Sequence, residues 1–140
     1  MTTHPYSPED ALIAVMFATS AADNQLSERE MDTIRRLVSV LPAFEGYDAA
    51  RIPAVFQSVI DLFDDEDGID ALVGLVRESL PPGLNETAYA LACDVAAADG
   101  KATMSELRFL EILRQDLDVD RLVAAAIEHG ARARHRLIPH

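Results

Sequence analysis

Two stretches of this chain are written to the same pattern. Residues 20–38 read SAADNQLSEREMDTIRRLV and residues 96–115 read AAADGKATMSELRFLEILRQ. A shift of 99 − 23 = 76 places lays Asp99 on Asp23, Gly100 on Asn24, Thr103 on Ser27, Glu106 on Glu30 and Leu110 on Ile34. Each copy reads as a helix end, a tight turn and a second helix that opens on a hydroxyl cap. A chain that spells this unit twice is constrained to two equivalent helical hairpins, over about 8–41 and 84–117.

The surrounding sequence has helical period throughout. Ser7 reads as an N-cap, Pro8 as the first helical residue, and Glu9 and Asp10 as first-turn acids; Leu12, Val15, Met16 and Thr19 then follow at helical spacing. Ser27 caps a second helix that stops before Pro42. Ile52, Val55, Phe56, Val59, Ile60 and Phe63 make one broad apolar stripe, with Pro53 tolerated only in its first turn. Ile69, Leu72, Val73, Val76 and Leu80 stripe a fourth helix that Pro81-Pro82-Gly83 ends. A fifth starts at Leu84 or Asn85 and runs to Asp99-Gly100; Thr103 caps a sixth reaching about Asp116; Val119, Leu122, Val123, Ala126 and Ile127 stripe a seventh. No strand alternation interrupts these patterns and the joints are short. The expectation is a single all-α domain over residues 1–140, a bundle of about seven helices. Helices one and two, and five and six, are expected to pair about a pseudo-twofold axis.

Charge narrows the partners. With 24 acidic against 12 basic residues, the net charge of −12 repels phosphate backbones and anionic lipid heads. Nucleic acid and membrane insertion are therefore poor expectations, and cations or basic protein surfaces better ones. No apolar run approaches a membrane span, and the first ten residues lack a signal-peptide pattern. One cysteine, Cys93, excludes an internal disulfide or a thiolate zinc cluster, and the expected compartment is the cytoplasm. Cys93 reads as a small core residue and Asp94 as a surface acid; Tyr6, Tyr47 and Tyr89 read as core edges with hydrogen-bonding tips.

The repeated motif has two readings. Ser27-x-x-Glu30 and Thr103-x-x-Glu106 have the capping-box form, in which the hydroxyl and the glutamate satisfy each other's backbone amides. Asn24 and Gly100 suit a left-handed helix end, and Leu26 and Ala102 are placed to plug the space below the turn. Capping leaves Asp23 and Asp99 unexplained, because an acid in a last helical turn opposes the dipole. In the second reading Asp23 with Glu30, and Asp99 with Glu106, converge across their turns as hard-oxygen sites for Ca²⁺, Mg²⁺ or Mn²⁺. These are not EF-hands: counting from Asp23 or Asp99, Glu28 and Met104 occupy the glycine position, and Ile34 and Leu110 the final glutamate. The acid run Asp61, Asp64, Asp65, Glu66 and Asp67 reads as a solvated helix end.

The doubled motif, together with ALIAVMFATSAADNQLSERE, LNETAYALACDVAAADG and the terminal AAAIEHGARAR, resembles the tellurite-resistance TerB family over roughly Pro8 to Arg134. A related domain begins the DjlA-type membrane co-chaperones. The resemblance implies an acidic, cytoplasmic, all-helical domain with a role in stress and tellurite resistance through complexes at the membrane. It also implies Asp23, Glu30, Asp99 and Glu106 as divalent-cation ligands. The chain departs from the family at Asn24, usually Gly, and at Ala102, usually Leu. Direct capture of the tellurite oxyanion is not expected of a body with this charge.

Catalytic signatures are weak. His4, His129, His135 and His140 lie near the termini without H-E-x-x-H spacing, and no nucleophile elbow, P-loop or dinucleotide fingerprint occurs. The leading expectation is a non-enzymatic, cation-responsive TerB-like module that docks protein partners. A metal-free interaction domain is the alternative. A hydrolase would need a pocket lined by paired carboxylates.

Overall fold

The computed structural model describes residues 6–22, 26–98, 100 and 102–139. Seven α-helices account for most of them: α1 (Pro8–Ala21), α2 (Glu28–Val40), α3 (Ile52–Phe63), α4 (Gly68–Ser79), α5 (Leu84–Ala97), α6 (Met104–Asp116) and α7 (Arg121–Arg134). The all-α expectation holds. Adding 76 to the bounds of α1 and α2 returns those of α5 and α6 residue for residue, so the repeat is a repeat of structure. Two 3-10 turns, Pro42–Phe44 and Ala49–Arg51, bridge α2 to α3. The sequence patterns gave no sign of them.

The core is built around α1, which packs on α5, α4 and α3 and also touches α2 and α6; α5 packs on α7 as well. Every residue from Asp10 to Ser20 is buried. The four-residue stripe expected for α1 understates it, for this helix is covered on all sides. Its interior is consistent with that position: alanines 11, 14 and 18 admit close neighbours, and Leu12, Ile13, Met16 and Phe17 fill the space between them. One connected hydrophobic cluster runs through all seven helices.

At the α3–α4 junction an alanine Cβ at Gly68 would sit 2.3 Å from the Leu62 carbonyl oxygen, so only glycine lets the two helices meet there. Gly83 opens α5 with φ at +95°, a left-handed conformation. The acid run at the end of α3 is exposed, as expected.

The seventh helix differs from its expected stripe. Leu122 is 79% exposed and Ala126 is exposed, while Ala124 and Ala131 are buried. The buried face runs through alanines, which allow α7 to lie close to α5 but carry little hydropathy signal. Leu26, expected to plug the first turn, is 38% exposed, whereas Ala102 packs against the core. No helix among the described residues is long and apolar enough to cross a membrane.

Candidate functional site

Both bends of the repeat are closed by complete capping boxes. The Ser27 Oγ accepts from the Glu30 amide at 3.0 Å, and Glu30 Oε1 accepts from the Ser27 amide at 3.1 Å. The Thr103 Oγ1 accepts from the Glu106 amide at 3.1 Å, and Glu106 Oε1 accepts from the Thr103 amide at 3.0 Å. The capping reading of these spacings is thus correct. It accounts for one oxygen of each glutamate; Oε2 is not part of either cap. Both carboxylates are buried, Glu30 at 4% and Glu106 at 2% exposure. A buried carboxylate is costly unless hydrogen bonds or a cation compensate it.

Asp23 and Asp99, the other half of each expected ligand pair, lie outside the described residues. Among the described residues no three His, Cys, Asp or Glu side chains converge as a metal cluster. In the last turn of α1, Ser20 Oγ is buried and has no hydrogen-bond partner among the described residues.

Two acid-centred networks escaped sequence reasoning. Asp10, 1% exposed, accepts from the Ser7 amide at 3.3 Å, the Tyr47 hydroxyl at 2.8 Å, Arg51 Nε at 3.3 Å and Arg51 NH2 at 2.5 Å. Burial alone would raise the pKa of Asp10; the bonds from Arg51, Tyr47 and Ser7 outweigh it and hold the carboxyl below its usual range. The S-x-x-D spacing at Ser7 was the available signal for the cap, but the two long-range partners had none. The second network corrects the reading of Asp94 as a surface acid. Asp94 is 8% exposed, bonds to Arg134 NH2 at 2.6 Å, and lies 3.4 Å from His135 Nε2. Its partners lie some forty residues away, so local pattern could not reveal them. The arginine ties the end of α7 to α5.

The tyrosines behave as expected: Tyr6 bonds Ser58 at 2.7 Å, and Tyr89 donates to Glu128 at 2.5 Å. Cys93 is buried, and burial pushes its thiol up to about 12.

Each hairpin flanks an open cleft of about 900 Å³. One lies among α1, α2 and α3, walled by Phe17, Val38, Phe44, Tyr47 and Phe56; Phe17 and Phe56 meet edge to face with centroids 4.9 Å apart. The other lies among α5, α6 and α7, with Tyr89, Cys93, Leu110 and Ala124 in its lining and arginines 114, 121, 132 and 136 around them.

No curated protein and no solved structure matches the chain. The family model described as tellurite resistance protein TerB matches residues 9–129. That span takes in both hairpins, both capped bends and most of α7, and so this chain belongs to the TerB family.

Proposed function

We propose that this chain is a non-catalytic, cytoplasmic module of a stress or tellurite response, which binds a hard divalent cation at its two bends and docks protein partners. The observation that carries the reading is the pair of buried glutamates. Glu30 and Glu106 occupy equivalent places in a repeated unit, each at 4% exposure or less, and each spends one carboxylate oxygen on its cap. The donor chemistry fits Ca²⁺, Mg²⁺ or Mn²⁺: carboxylates and turn carbonyls are hard ligands, and neither bend offers a thiolate. Asp23 with Glu30, and Asp99 with Glu106, would hold the ion, which would neutralise acids that otherwise repel one another. The Ser20 hydroxyl, buried in the last turn of α1 with no partner among the described residues, supports an additional oxygen near the first bend. The surplus of acidic residues supports cations and basic protein surfaces as partners.

Calorimetric titration of the full chain with each cation tests this. Binding of up to two equivalents is expected, lost in Asp23→Asn with Asp99→Asn and weakened in Glu30→Gln with Glu106→Gln, where glutamine preserves the cap. Absence of binding at about 10 mM cation, beyond the weakest extracellular calcium modules, refutes the metal half. The complete capping boxes favour a second reading, a metal-free interaction domain, whose partner binding would survive chelator unchanged. A hydrolytic reading would have to rest on Glu111 and Glu128, the two glutamates of the α5–α6–α7 cleft.

A further inference from the structure

The 76-residue offset carries one cleft onto the other. Phe17 and Cys93, Val38 and Arg114, Glu45 and Arg121, and Phe56 and Arg132 are pairs related by that shift, and each member lines its own cleft. The two clefts are alike in size and in the elements that build them, and they differ in chemistry. Where the first presents an aromatic pair, a valine and a glutamate, the second presents a cysteine and three arginines. The first cleft holds one arginine and one glutamate, Arg35 and Glu45. The second gathers four arginines against two glutamates in a chain whose acids outnumber its bases two to one.

Arg114, Arg121, Arg132 and Arg136 form no ion pair among the described residues, although Glu128 lies one helical turn from Arg132. The only bond of Arg114 among these is a long one, 3.4 Å, to the Val119 carbonyl. One of the two glutamates is engaged instead by Tyr89, whose hydroxyl bonds Glu128 Oε2. Between the arginines the surface is apolar: Leu107 is 50% and Leu137 76% exposed at the rim, and alanines line the interior. The volume suits a small organic ligand.

From this we infer that the α5–α6–α7 cleft is a binding site for a small amphipathic carboxylate, with its acid group on the arginines and its hydrocarbon body on the alanine and leucine surface. The first cleft offers such a ligand apolar contact but no surplus positive charge for its acid group. The cleft reaches the second bend through Gly100 and Ala102, but its four arginines lie on α6, on α7 and just after α7.

Hexanoate, hexan-1-ol and acetate separate the two requirements. Titrated into the full chain and followed by amide nitrogen–proton spectra, hexanoate is expected to shift the amides of Cys93, Ala96, Ala124 and Arg132. It should bind at least about tenfold tighter than the alcohol or acetate, the worth of one good polar contact. Arg121→Gln with Arg132→Gln, both exposed positions, should weaken it about tenfold or more while leaving the far-ultraviolet spectrum unchanged. Equal affinity for hexan-1-ol, shifts centred on Phe17 and Phe56, or full binding by the folded double variant would each overturn the assignment. So would the absence of any shift at about 10 mM hexanoate, the weak end for a site of this kind.

Discussion

Replacing Asp10 by alanine removes a carboxylate that three parts of the chain share. The loss can be worked contact by contact. The Ser7 amide gives up its capping-box partner, worth about 0.5–1 kcal/mol. The Tyr47 hydroxyl gives up its bond to Oδ1, about 1 kcal/mol. Arg51 is 54% exposed and rehydrates, so its ion pair adds little to the sum. The expected destabilisation is about 1.5–2 kcal/mol, which lowers Tm by roughly 6 °C in a chain of this length. Thermal unfolding followed by circular dichroism measures it, and a urea curve with unchanged slope shows that the compactness of the two states is the same. The effect has a pH signature. The folded-state pKa of Asp10 lies below its unfolded value, so its stabilisation is present above about pH 4 and is lost as pH falls through the folded pKa. The gap between parent and variant should therefore narrow on acidification from pH 5. A Tm within about 2 °C of the parent at pH 7 would mean that these bonds merely replace equivalent ones to water, and the reasoning would fail.

Gly68→Ala forces a Cβ against the Leu62 carbonyl and the Phe63 Cα, both backbone, so α3 and α4 must move apart. A loss of about 1–3 kcal/mol by urea unfolding is expected, and a neutral result would show that the junction has slack. Cys93, with its thiol at about 12 and 4% exposed, should resist iodoacetamide at pH 8 in the native protein and react fully in urea. Native labelling at the rate of a free thiol, read by mass spectrometry, would contradict that burial.

What could be read from the sequence was whatever is local to it. Caps at Ser7, Ser27 and Thr103 are four-residue patterns, and all three form as written. The apolar stripe of α3 and the turn at Pro81–Gly83 are equally local. The central place of α1 was less visible, because complete burial removes the polar face that makes a helix legible. Alanine hid the docking face of α7 for a different reason: its contribution is close approach, not hydropathy. Asp10 is the first-turn acid its position implied, but its further partners, like those of Asp94, were out of reach of local pattern, because Tyr47, Arg51 and Arg134 lie between 37 and 41 residues along the chain. The α5–α6–α7 cleft needed the shape of the fold before its arginines formed a group. Of the four expected cation ligands, Glu30 and Glu106 hold equivalent buried positions, and Asp23 and Asp99 fall outside the described residues.

The burial of α1 against α5 bears on how such a chain is assembled. Each repeat supplies one of the two innermost helices, and α1 is wrapped by elements from both sides of the midpoint. A fragment ending in the exposed loop after Phe63 would keep α1 yet lose α4 and α5 from around it, laying bare its most greasy surface. Neither half is equipped for solitary life in water. The duplicated halves are obligate companions, and the covalent link between them sets their mutual concentration high enough that the marriage is never in question.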